Sequence, residues 1–514
     1  LSISIKKNLL YGLFISLFVF ILTGCASEEE TSNDNQENSN NTEKSEEDGP
    51  LQFEMMAGLF SEVPDMDNEF FSTLQEETKA ELEMIWVPDA EYDTRFDLVL
   101  ASGDIPEVIW QIDFTKPTLL QSIDQGAFWD LAPFLGDFSE FPNLKNNLTP
   151  GVWDYVTRDG QIWGVPRSRA LIEPGIKMRK DWLEKYDIPI PTTLEEYKEA
   201  LSVIADNDPS GQGTIGIAEG VNGPLMIAFG AATPTYNEEG GMIKDILTPQ
   251  YTDMVEWLNG LYEEGLIAEE FSGLNGFQKQ DMLRSGRLAS YTYSIYRDFP
   301  WTEDIKKVQP EGELMTLPPL EGPGGHTALL ATGSSGAFYI SKKVPEEKVM
   351  KILQYFEKTA SEEMTELAYY GVEGVHHEVK DGMKVLNDLG TEQINTTSMQ
   401  PFTPAYKKWA EVHYPGVSKE ENLAKQEEVK GYEELGKQNP FDWLYSSTWV
   451  NVWPNYQSEF DSKVTQAIVG DISMEEFKAY VEELRNDPEI KQAFEEFAAS
   501  YEPYKERELS LDSE

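Results

Sequence analysis

Leu98-Val-Leu-Ala-Ser-Gly-Asp-Ile-Pro-Glu-Val-Ile-Trp-Gln111 holds a helix end, a break and a strand in one stretch. Its first residues close a helical run that begins near Tyr92. Ser102-Gly103-Asp104-Ile105-Pro106 stops that run, because glycine ends helices readily and the residue before a proline avoids the helical region. Glu107 to Gln111 then reads as a strand. Working backwards, Leu82 to Val87 is another strand. Phe70 to Ala80 is a helix with Phe71, Leu74 and Thr78 on one face, and Leu51-Gln-Phe-Glu-Met-Met-Ala57 is a first strand. Strands alternating with helices predict βαβ units and a largely parallel sheet. In open α/β sheets, ligands sit beyond the carboxyl ends of the strands. That rule points at Phe60-Ser61 after the first strand and at Trp110-Gln111 on the third.

Ahead of this body, Lys6 and Lys7 precede an apolar run from Leu9 to Leu22, and Leu22-Thr-Gly-Cys25 follows. Positive charges, a short apolar stretch and small residues make a secretory signal over 1–24. The run falls short of the roughly 20 apolar residues that a comfortable span needs. The tetrad resembles a bacterial lipobox, in which the cysteine, here Cys25, takes a diacylglycerol and becomes the new N-terminus. Residues 25–50 are polar and acidic and cannot bury enough surface to offset chain entropy, so they are expected to form a loose tether. The expected location is the outer face of the cell membrane, held there by the lipid.

The 514 residues carry 41 Lys+Arg against 92 Asp+Glu, a formal charge of −51. Such a body repels nucleic acid and anionic headgroups. Cys25 is the single cysteine, so once lipidated it leaves no disulfide, and stability must come from the core. The hydrophobic content of 40% is enough for one.

Further along, Thr157-Arg-Asp-Gly-Gln-Ile-Trp-Gly-Val-Pro166 has the Asp-Gly hairpin signal, and Arg167-Ser-Arg169 follows at once. Thr193 and Glu196, like Ser473 and Glu476, stand three apart as capping boxes. Met315 to Gly325 is rich in Pro and Gly and reads as a linker.

Several of these stretches resemble one family. Leu98 to Ile109, Asp159-Gly-Gln-Ile-Trp-Gly-Val-Pro166, Ile176 to Tyr186 with Pro191 to Tyr197, Leu261 to Ile267 and Tyr370-Gly-Val-Glu-Gly374 are similar, in register, to motifs of the family 1 extracellular solute-binding proteins. The likeness is strongest to their LplA-like lipoprotein branch, and it covers most of residues 51–500. It implies a two-lobe α/β fold of the periplasmic-binding-protein kind, with discontinuous lobes joined by hinge crossings. The first lobe is expected to comprise 51–168 and 315–371, and the second 169–314 and a helical 372–514. The implied function is capture of an oligosaccharide or similar polyhydroxylated solute between the lobes and delivery to the permease subunits of an ABC importer. The protein would work as a monomer, without catalysis and without a cofactor. Relatives often carry a calcium loop after the helix that starts near Thr193. Here it reads Asp208-Pro-Ser-Gly-Gln-Gly-Thr214, with Ser210 in place of a carboxylate. Calcium takes about six to eight oxygen ligands, so a plain glycine turn is expected, with Asp208, Ser210 and Gln212 as what remains of a calcium set.

Aromatic rings stack on sugar faces, and a few accurately placed polar groups fix the hydroxyls. The ligand candidates are Trp110 and Gln111 at the strand end, Arg167 and Arg169 at the first crossing, and Tyr293 in the alternating run Tyr291 to Arg297. Glu373 at a second crossing, and Trp449 with Trp453 in an aromatic stretch, complete the set. Each has a structural alternative: core packing for the rings, inter-lobe ion pairing for the arginines and a hinge role for Glu373. His376-His377-Glu378 does not make a zinc set, because neighbouring strand residues face opposite ways and no further ligands stand at useful spacing. Two other functions compete with the receptor: a surface glycoside hydrolase, which needs two carboxylates at a set separation, and a binding protein for peptides or for a sensor kinase.

Overall fold

The computed structural model describes residues 49–59, 63–172, 174–380, 382–394, 402–410 and 416–511. The signal, Cys25 and nearly all of the tether lie outside the described residues, as do Phe60 and Ser61. No helix among the described residues is long and apolar enough to cross a membrane.

The first lobe is built on β1 (Leu51–Leu59), α1 (Glu69–Thr78), β2 (Ala80–Pro88), α2 (Asp89–Ser102), β3 (Val108–Gln111) and α3 (Pro117–Asp124). Asn68 starts α1 by accepting the Phe71 N–H at 3.0 Å, which aims Phe70, Phe71 and Leu74 inward. Gly103, at φ 72°, ends α2 and returns its N–H to Leu100 O. β1 pairs in parallel with β2, Leu51 opposite Ala80, and with β3, Met55 opposite Val108. The alternation of strands and helices over 51–111 therefore yields the parallel pairs expected of it. Two later strands extend the sheet antiparallel: Ser334–Ile340 beside β3 and Val165–Ser168 beyond it. The register shifts between Ser334 and Ala337. There Gly336 sits at φ +79°, and a Cβ on it would stand 2.0 Å from the carbonyl oxygen of Gln111. Helices cover both faces, so Met55, Met56 and Ala57 of β1 and all four residues of β3 are buried, as strands packed on both sides are.

The second lobe centres on a three-stranded antiparallel sheet in which Pro174–Arg179 lies between Ser290–Ser294 and Leu314–Thr316. Helices Leu194–Asn207, Pro249–Glu263, Gln457–Val469, Met474–Asn486 and Pro488–Leu511 pack around it. Ser473 and Glu476 form a reciprocal capping box. Thr193 accepts from the Glu196 N–H, while the Glu196 carboxylate turns back to Thr192. Inside this lobe the fully buried Lys177 donates to Asp298, which also accepts from Lys425 at 2.7 Å and from Thr316. Burial opposes the charge on Asp298, but the two ammonium groups outweigh it and hold its carboxyl at about 2.

The chain passes between lobes in three adjacent segments. The first follows Ser168. The second contains the strand Ala328–Leu330 and ends at Ser334. The third contains the strand Gly436–Gln438, which pairs in parallel with Ala328–Leu330. Arg169 N–H donates to Gly333 O and Ala331 N–H to Leu171 O, so all three lie side by side. A small apolar cluster of Ala170, Ile172, Ile295, Tyr296, Ala328, Val429 and Tyr432 plugs the junction.

Two expected boundaries move. The return to the first lobe is not at 315: Leu314, Leu317 and Leu320 belong to the second-lobe core, so the Pro- and Gly-rich run is wall rather than linker. Nor does the chain leave the first lobe at 372. Met364, Ile394 and Phe402 pack on Phe70, Phe71 and Leu74 of α1, and Ala405 joins the first-lobe core. The segment with His376 and His377 stays there because apolar contacts on both sides of it are to α1.

Candidate functional site

The loop after β3 is set by side chains close in sequence. Gln111 Oε1 accepts the Asp113 N–H at 3.0 Å, and Asp113 Oδ1 accepts both the N–H and the hydroxyl of Thr115 at 2.8 Å. This turn projects Phe114 beyond the carboxyl end of the sheet, against Tyr155 from the short 3₁₀ turn Val152–Val156. Their rings lie 5.3 Å apart and 20° from parallel. From the second lobe, Trp443 meets Tyr155 edge-on at 5.9 Å and leans on Tyr504 at 6.1 Å. Gln438 Nε2 donates to Tyr155 Oη at 3.1 Å.

Between these rings is a cavity of about 450 Å³, with Trp163 and Tyr339 on the first-lobe side and Tyr445 on the other. This size falls in the range of small-ligand pockets. Arg158 lies over the Tyr445 ring at 4.6 Å and pairs with Asp124 at the end of α3. Tyr445 Oη donates to the same Asp124 carboxylate at 3.4 Å. Three buried donors at this cavity, Trp163 Nε1, Trp443 Nε1 and Arg158 Nη1, have no hydrogen-bond partner. A buried donor without an acceptor is costly, so a ligand oxygen that reached these groups would relieve the deficit. Asp442, next to Trp443, is pushed up to about 7 by burial and by Asp245 and Asp113, against the pull of Lys244. Burial, then Asp442 and Asp154, also raises the Tyr155 phenol. The arrangement can clamp a flat-faced, hydroxyl-rich solute between rings and offer it indole and guanidinium donors.

The residues expected from the sequence fall mainly elsewhere. Trp110 is only 3% exposed and lies in the first-lobe core. Its indole N–H goes to Ser335 O at 2.7 Å, because β3 is the middle strand of a sheet covered on both faces. Gln111 is fully buried and orients the following loop. Arg167 is buried, 5.8 Å over the Trp110 ring, and donates to Ser335 Oγ at 3.4 Å. Arg169 belongs to the first crossing through its backbone. Tyr293 stacks on Trp301 at 4.6 Å within the second lobe. Glu373 is exposed in a turn of the first lobe, bridged to His377. Trp449 and Trp453 stack on each other at 4.3 Å and pack on the second core. None of the eight lines the cavity.

Asp208 does not offer its carboxylate outward. It accepts from the backbone N–H groups of Thr214 and Gly213 and from the Thr214 and Ser210 hydroxyls. Those bonds bring its carboxyl down to about 2. Gln212 N–H in turn donates to Ser210 Oγ. No cluster of three or more His, Cys, Asp or Glu that could hold a metal occurs among the described residues.

Phe114, Tyr155, Arg158, Trp163, Trp443, Tyr445 and Tyr504 line the cavity and are not among the residues expected from the sequence. A usable signal existed for Trp163 and Arg158, which flank the Asp159-Gly160 turn already singled out. Nothing local marks Tyr504, which is one aromatic among several on the long C-terminal helix Pro488–Leu511.

The chain is 25% identical over 496 residues to the polygalacturonan/rhamnogalacturonan-binding protein YtcQ of Bacillus subtilis (strain 168), covering 93% of this chain and 95% of that one. It is 29% identical over 346 residues to lipoprotein LipO of the same organism, covering 64% and 68%. Among solved structures it resembles the alginate-binding protein AlgQ2 without calcium ion, with a TM-score of 0.67 and 16% identity over 88% of this chain and 98% of that one. This last likeness concerns the two-lobe fold. The profile of the bacterial extracellular solute-binding proteins matches residues 61–363, more than half of the sequence, and the chain belongs to that family.

Proposed function

We propose that this protein captures an oligosaccharide between its lobes and delivers it to the membrane subunits of an ABC importer. The observation that carries this is the inter-lobe cavity, where Phe114, Tyr155, Trp163, Trp443 and Tyr504 present rings from both lobes beside buried donors that lack acceptors. Rings alone would suit any apolar ligand. The unpaired indole N–H groups favour one rich in oxygen acceptors. The polysaccharide-binding relative that aligns along nearly the whole chain points the same way. The protein binds its ligand and does not cleave it, acts as a monomer and stays at the outer membrane face through a diacylglyceryl group on Cys25. The lipoprotein relative is consistent with that anchor, and the acidic body gives it no electrostatic means of staying on an anionic membrane.

Calorimetric titration of the purified protein with plant-wall and bacterial oligosaccharides tests the reading. Saturable heat without new reducing ends is expected. New reducing ends would establish a hydrolase instead, and binding of peptides but of no sugar would overturn the assignment. For the anchor, Cys25→Ser should move the protein from the membrane fraction to the medium. Unchanged retention would refute lipid attachment.

A further inference from the structure

The charges around the cavity decide which oligosaccharides it accepts. Arg158 is the one cation among the described lining residues, which also include Asp154 and Asp159. Its charge is already met by Asp124, and its face is covered by Tyr445. Asp124 is the last residue of α3, the end at which a helix dipole repels anions. Next to Trp443 and Phe114 in the chain stand Asp442 and Asp113, and burial, then Asp245, with a smaller push from Asp113, raise the Asp442 carboxyl. The nearby Lys244 is taken by Asp245 at 2.6 Å. A carboxylate on a sugar would therefore approach a wall whose one cation among the described lining residues, Arg158, already has a carboxylate partner. Arg158 Nη1, buried and without an acceptor, remains able to donate to a neutral hydroxyl or ring oxygen.

Taking the oligosaccharide reading as given, we infer that the cavity selects uncharged oligosaccharides and rejects uronates, with Asp124 as the specificity-determining residue that cancels the Arg158 charge. This separates the chain from its relative named for polygalacturonan and rhamnogalacturonan. It also makes Asp124 the position at which a change would convert one preference into the other. A freed guanidinium fits a carboxylate with two parallel N–H donors, so removing Asp124 supplies what an anionic ligand lacks here.

The test compares two probe series of matched length, neutral β-1,4-galactan oligosaccharides and oligogalacturonates, titrated calorimetrically into the full chain at low and high salt. The wild-type protein should bind the neutral series at least about tenfold more tightly, and high salt should narrow the gap by screening the repulsion. Asp124→Asn should raise uronate affinity roughly tenfold relative to neutral affinity. Equal or tighter wild-type binding of oligogalacturonates overturns the inference while leaving the oligosaccharide receptor intact. Binding of neither series overturns both. The wild-type comparison needs no variant, so a poorly folding Asp124→Asn protein does not remove the test.

Discussion

Replacing Asp442 by asparagine should stabilise the protein, and more so as the pH rises. The Asp442 carboxyl is lifted from an ordinary value of 3.8 to about 7, chiefly because it is buried, then because Asp245 and Asp113 stand near, with Lys244 opposing. The folded protein thus holds this proton more tightly than the unfolded chain does. The resulting stability is full below about pH 4 and is lost as the pH climbs towards 7. Asparagine has no proton to lose. Between pH 5 and pH 7 each unit of pH removes about 1.4 kcal/mol from the parent and nothing from the variant, so the advantage of Asn grows by about 3 kcal/mol between pH 5 and pH 8. Urea unfolding of both proteins at the two pH values measures it, since other titrating groups cancel in the difference. Asp113 belongs to the first lobe and Asp442 to the second, so the same substitution should also tighten ligand binding at pH 8 more than at pH 5. An equal stability difference at both pH values would refute the reasoning.

Trp443→Ala should weaken oligosaccharide binding by about 30-fold, as loss of a central aromatic anchor does, read by calorimetry. Asp298→Asn removes the acceptor shared by two buried ammonium groups and should cost about 3–5 kcal/mol in urea unfolding. Lys425→Met should cost less, because it leaves Lys177 paired. Gly336→Ala places a Cβ against the Gln111 carbonyl and demands a positive φ of alanine, so it should destabilise the first lobe by more than about 1 kcal/mol and lower the melting temperature. A full-strength melting transition in that variant would show that the bulge can be rebuilt.

The start of the fold was readable because its signals are local. Glycine and proline punctuation at 102–106 and the apolar runs of β1 and β3 specify element type within a few residues. The later crossings were not, since composition cannot distinguish a linker from a buried wall. Pro318 and Pro319 look like connector, yet they separate Leu317 from Leu320, both inside the second core. The site suffered for a related reason. The strand-end rule led to Trp110 and Gln111, but the sheet buries both away from the cavity, and the ring that lines it is Phe114, three residues past the strand. Tyr155 and Gln438 meet across 283 positions of sequence, a distance over which no periodicity speaks. The sequence marks the aromatic stretch of Trp449 and Trp453, but without the helix Ser447–Val452 nothing in it says that these two face the core while Trp443 faces the gap.

The three parallel-lying connectors constrain more than the chain path. Their mutual hydrogen bonds resist shear and twist, which would break them, but permit the ribbon to flex across its width. A hinge of this sort has a single easy direction. A solute that altered how the lobes meet at Tyr155 and Trp443 would therefore change one angle and little else, and the outer surface of the molecule would report occupancy as a tilt that a docking protein could read without touching the sugar.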